Sequence, residues 1–197
     1  LKSFIPDLAR ILGETPGALY ERQRALVREG LLESAVGHGP GSGVRATQES
    51  VTMLLIGLLA SVSLAEAGPL AESLANAVHG AKCPLTGAKV FQAALTRILL
   101  DESLSKRVNE ISVQVNAGLA TITFDGSNPQ WEQTTKKLKA GLESRGAKHV
   151  KITRTPDSSV FLAQKYKSAG LRVSVSIGGE TVQALAKIVS GLVDETS

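Results

Sequence analysis

The sequence predicts an α+β chain in three parts. Residues 1–47 read as a helix-turn-helix closed by a glycine-rich β-hairpin. Residues 48–110 read as a helical middle, and residues 111–197 as an α+β module with a small, mostly antiparallel sheet. Three observations carry this. The stretch Leu8–Thr47 places two short helical patterns before a hairpin whose loop alternates glycine with other residues. Val51–Ala65 is an almost unbroken apolar run. From Ile111 the apolar residues recur every second position, the period of a half-buried strand.

The first part can be justified element by element. Leu8, Ile11 and Leu12 make an apolar stripe on a helix over residues 3–12, which Gly13 ends. Thr15-Pro16 opens the second helix, with threonine as its cap and proline where a missing N–H costs nothing. Leu19, Leu26 and Val27 are expected to face inward. Gly30 stops the helix in a left-handed turn, and Leu31-Leu32 start a strand. Gly37, Gly39, Gly41 and Gly43 alternate with His38, Pro40 and Ser42, and Val44-Arg45-Ala46 forms the return strand. Helix, turn, helix and hairpin in this order make a winged helix-turn-helix.

The helical middle begins with Thr47, which caps a helix over 48–64 together with Ser50 or Glu49. Further helices are expected at about 69–79, 87–100 and 102–109, with a break at Gly80–Thr86. The run Val51–Ala65 falls short of the about 20 apolar residues of a membrane span and predicts a helix that fills the core or forms a dimer interface. Ile111, Val113 and Val115, then Ala120, Ile122 and Phe124, flank the turn Asn116-Ala117-Gly118 and predict a hairpin. A polar helix at 129–145 anchored by Trp131, strands at 148–154 and 171–177, and a closing helix at 180–194 complete the module. The segment 156–169 is ambiguous.

Composition narrows the function classes. Of 197 residues, 43% are hydrophobic and 20% charged, the balance of an ordered globular chain. A single cysteine, Cys83, excludes an internal disulfide and fits a reducing cytoplasm. Residues 1–12 contain Pro6, Asp7 and Arg10 and lack the apolar core of an export signal. The net charge is +4. Residues 1–47 carry six Lys/Arg against five Asp/Glu, and residues 111–197 carry eleven against seven. Any nucleic-acid surface in the first part must therefore arise from local arrangement. The stripe Lys136, Lys137, Lys139, Arg145, Lys148, Lys151 and Arg154 is a rival basic face.

No catalytic constellation stands out. Asp101-Glu102 reads as a helix N-terminus. His79 and Cys83 are one pair where a structural metal site normally needs four ligands, so no metal and no cofactor are expected. The glycines at 37–43 lack the spacing of a nucleotide-binding loop and fit a hairpin tip resting on a phosphate. The donor-rich helix supplies better chemistry, because Arg binds guanine and Gln binds adenine with two hydrogen bonds. The candidate DNA-binding residues are Thr15, Gly17, Tyr20, Glu21, Arg22, Gln23, Arg24 and Arg28 on the second helix and its cap. His38, Ser42 and Arg45 join them on the hairpin.

LARILGETPGALYERQRALVREGLL resembles the DNA-binding domains of winged-helix bacterial regulators of the GntR and MarR kind. Leu8, Ala9, Leu12, Gly13, Leu19, Leu26, Glu29, Gly30, Leu31 and Leu32 carry the likeness, which is confined to residues 4–47. The chain departs at Arg22 and Gln23, where those families have small or apolar residues. The resemblance implies a cytoplasmic, sequence-specific regulator of bacterial or prophage origin that binds double-stranded DNA as a homodimer and is not an enzyme. The competing expectation is a protein-interaction adaptor that reuses the helix-turn-helix without binding DNA.

Overall fold

The computed structural model of the chain describes residues 1, 3–35, 43–60, 63–126, 137, 140, 156–163 and 173–194. It opens with α1 (Ile5–Leu12) and α2 (Pro16–Arg28). The Thr15 hydroxyl accepts the Ala18 N–H at 3.2 Å and caps α2, as the Thr-Pro pair predicts. Gly30 turns the chain out of α2 at φ 72°, a conformation that a Cβ would penalise. Leu31 and Leu32 are not yet strand: β1 is Ser34–Ala35, paired antiparallel with β2, Gly43–Val44. The two leucines instead pack against the core, Leu32 fully. The hairpin tip, including His38 and Ser42, lies outside the described residues.

Helix α3 (Gln48–Ala60) starts with reciprocal capping. Thr47 Oγ1 accepts the Ser50 N–H at 3.1 Å, and Ser50 Oγ accepts the Thr47 N–H at 2.9 Å. Every residue of α3 from Ser50 to Ala60 is buried. A helix apolar on all sides must be enclosed on all sides. Here α2, α4 (Ala67–Ala75), α5 (Phe91–Leu100) and the C-terminal helix enclose it. The run Val51–Ala60 thus fills the chain's own core and is no dimer interface.

The helix expected over 69–79 ends at Ala75. Val78–His79 is instead a short strand, β3. Likewise α5 begins at Phe91 rather than 87, and α6 covers only Glu102–Ser105. Asp101 caps α6 through Ser103 and Leu104, and its bonds with Ser103 hold its carboxyl below the usual range. None of the described helices is long and apolar enough to cross a membrane.

The sheet is antiparallel throughout, in the order β3-β6-β5-β4-β7. Strands β4 (Val108–Gln114) and β5 (Leu119–Phe124) form the expected hairpin, and Gly118 takes φ 57° at its turn. Strand β6 (Asp157–Leu162) occupies the described part of the ambiguous segment, whose residues 164–169 lie outside the described residues, and β7 (Ser174–Gly178) leads into α7 (Gly179–Asp194). Ile111, Val113, Ala120, Ile122, Phe124, Phe161 and Ile177 line the buried face. The expected helix at 129–145, with Trp131, and the strand at 148–154 fall outside the described residues, apart from Lys137 and Ala140, both exposed and helical.

One buried cluster runs from Leu1 through α3 and the sheet to Val189 in α7. It crosses position 110, where the sequence pattern changes. The ring of Phe91 of α5 packs at a tilt against Phe161 of β6, with centroids 5.5 Å apart, and β3, from the helical middle, pairs with β6. Helix α7 covers α5 and α6 as well as β4. A fragment beginning at Asn109 exposes the face that α3 and α5 cover. It is expected to remain unfolded; dispersed amide NMR signals from it would contradict this.

The start of α7 is tightly seated. A Cβ on Gly179 would lie 2.3 Å from the Val108 carbonyl oxygen, a backbone atom that cannot swing aside. Gly179→Ala is expected to cost about 2–3 kcal/mol, read as a lower urea midpoint. An unchanged midpoint would show that β4 and α7 separate easily.

Candidate nucleic-acid interface

Three helices hold α2 from one side. It packs on α1, α3 and α4, burying Leu19, Gln23, Ala25 and Leu26. At the crossing with α3 the helices meet at Gly57, where a Cβ would stand 3.0 Å from a Leu26 methyl. The missing side chain also opens the Gly57 carbonyl, to which Arg22 Nη1 donates at 3.1 Å. Burial lowers the pKa of the Arg22 guanidinium, and Glu14 partly restores it.

Arg22 therefore does not stand with the other candidate residues, and Gln23 meets them only as a buried part of the groove wall described below. Both lie on the Leu19–Leu26 side of α2, Gln23 at 7% exposure with no described partner for its Oε1. Helical spacing carries the reason. Positions 22 and 23 follow Leu19 by three and four and precede Leu26 by four and three, so all share one face. The departure from the GntR and MarR pattern is an inward-facing pair, tied to the helical core.

The opposite stripe is Gly17, Glu21, Arg24 and Arg28, all exposed. Arg24 Nη1 bonds to Glu21 Oε1 at 3.2 Å, and its guanidinium carbon lies 5.0 Å from the Tyr20 ring centroid. Thr15 sits exposed at the head of the stripe. Between α2 and the hairpin runs an open groove of about 490 Å³. Tyr20, Val27 and Gln23 form its helical wall, Ser34 and Gly43 its strand wall, and Glu21, Arg24 and Arg28 its rim. Ser34 and Val27 were not among the residues expected from sequence. The place of Ser34 follows from a hairpin pairing that starts there rather than at Leu31, and Val27, expected to face inward, is only half-buried.

Arg45 is exposed but lines a second groove, of about 640 Å³, between the hairpin base and the start of α3. Leu32, Val44 and Met53 form its floor, and Glu33 and Glu49 share its rim. His79 and Cys83 do not converge as ligands. His79 accepts the Ala81 N–H on Nδ1 and packs edge-on against Phe161, while Cys83 is buried in a tight loop closed by Gly87. Among the described residues no group of three or more His, Cys, Asp and Glu is placed to hold a metal.

No protein-family model matches the chain, and comparison with curated proteins and with solved structures finds no match.

The two neighbouring arginines should behave differently. Arg22→Ala removes a charged hydrogen bond worth about 1.5–3 kcal/mol. Arg24→Ala, on the exposed stripe, should stay within about 0.5 kcal/mol of the parent. Urea unfolding of both variants checks the assignment, and equal losses would place Arg24 in the core packing too.

Proposed function

We propose that the chain is a sequence-specific regulator of transcription that binds double-stranded DNA through α2 and the hairpin. The observation that carries this reading is the single exposed stripe of α2, bearing Glu21, Arg24 and Arg28 beside an open groove. Helix α2 has 13 residues and is about 20 Å long. The major groove, about 12 Å wide, admits such a helix. The inward face is held on α1, α3 and α4, so the outward donors sit on a firm support. The hairpin beside it is suited to the phosphate backbone, whose contacts position rather than specify. The GntR- and MarR-like pattern of residues 4–47 supports the same reading.

A homodimer is part of the proposal, because a twofold pair reads two half-sites and gains site length. Its interface excludes the Val51–Ala60 stretch, which is enclosed within each chain. With charge nearly balanced over residues 1–47, attraction to DNA comes from the local pairing of Arg24 and Arg28 on one stripe.

Replacing Arg24 and Arg28 together by alanine is expected to weaken duplex binding by about tenfold or more while the protein stays folded. The slope of log affinity against log salt should fall by roughly 0.9 for each phosphate that is no longer neutralised. Mobility-shift titrations at several salt concentrations measure both. Parent protein that binds duplex DNA without salt dependence, or not at all, overturns the reading.

A further inference from the structure

Arg24 is restrained from two directions. Glu21, three residues earlier, accepts from its Nη1 at 3.2 Å, and Tyr20, four residues earlier, places its ring 5.0 Å from the guanidinium carbon. Residues at these spacings meet on one helix face. The three side chains stay open to solvent or only half-buried, with Arg24 61% and Glu21 51% exposed. An exposed ion pair of this kind contributes little to folding, so stability does not account for the arrangement. A guanidinium carries five N–H donors in a planar fork. Glu21 occupies one nitrogen, and the remaining donors have no partner among the described residues. Arg28, one turn further along the stripe, has neither an acidic nor an aromatic partner among them.

We propose that Arg24 determines specificity at this interface by reading a guanine through O6 and N7, with Glu21 and Tyr20 as positioning residues that hold the fork outward. The inference rests on the DNA-binding reading above and names which base that surface recognises. Preorganisation reduces the side-chain freedom lost on binding. A fork held in one plane matches the two acceptors of guanine; an ammonium on a flexible stem does not. Arg28, unrestrained, serves as a charge for phosphate. Glu21 has a second effect: its carboxylate repels the backbone of any duplex. It therefore weakens random binding while sharpening the choice made by Arg24.

The test starts from duplexes selected by the parent protein from a randomised pool. Affinities are then measured for the selected duplex, for versions with each guanine replaced in turn, and for random duplex. Arg24→Lys is expected to lose discrimination at one guanine by about tenfold or more, well beyond its change in random-duplex affinity. Arg28→Lys should shift all duplexes by one common factor. Glu21→Ala should bind random duplex more tightly yet discriminate less at the same guanine, and Tyr20→Leu should discriminate less there too. If the parent selects a sequence but Arg24→Lys discriminates as well as the parent at every guanine, the inference fails and the DNA-binding reading stands. If Glu21→Ala keeps full discrimination at that guanine, the positioning roles fail. If the parent binds no duplex, both readings fail together.

Discussion

The enclosure of α3 is the constraint on which the rest of the structure depends. A helix with no exposed side chain from Ser50 to Ala60 has no polar face to offer water, so its surroundings must be supplied by the rest of the chain. Helices α2, α4 and α5 provide part of that cover, and α7 with strands β4 and β7 provides more. Of its two buried hydroxyls, Ser50 belongs to the cap and Thr52 lies 3.4 Å from Thr96 Oγ1 on α5. The N-terminal unit and the sheet meet on this helix, which is why one buried cluster spans both.

The same constraint shapes the outward face of α2. Its inner side is committed to α3 through Leu26, Gly57 and the Arg22 bond. That commitment fixes the helix's rotation, and rotation decides which residues reach a ligand. Glu21, Arg24 and Arg28 point outward because Leu19, Gln23 and Leu26 point inward. The chain thereby presents a basic stripe although residues 1–47 carry nearly balanced charge.

Local signals were legible, and pairings between distant segments were not. The Thr15 cap, the Gly30 and Gly118 turns and the alternation of β4 and β5 all depend on neighbours a few residues away, and the structure follows them. Strand β3 was hidden because Val78–His79 is a two-residue strand made by pairing with Phe161 and Leu162, far along the chain, and with Val90. Strand β6 was hidden because buried Ser159 interrupts its apolar alternation. The start of β4 was missed because an irregularity between Val108 and Glu110 shifts the register and sets two buried residues three apart. At the candidate site, the spacing of Leu19 and Leu26 already placed positions 22 and 23 inward. Their polar chemistry pointed the other way.

The Arg22–Gly57 bond links two positions 35 residues apart. One supplies a long donor and the other supplies no side chain at all, so neither can drift alone. A bulkier residue at 57 would block the approach of Leu26, and a short one at 22 would leave the carbonyl without its donor. A change at either end of the bond therefore alters how α2 is seated on α3, and with it the direction in which the outward stripe of α2 faces.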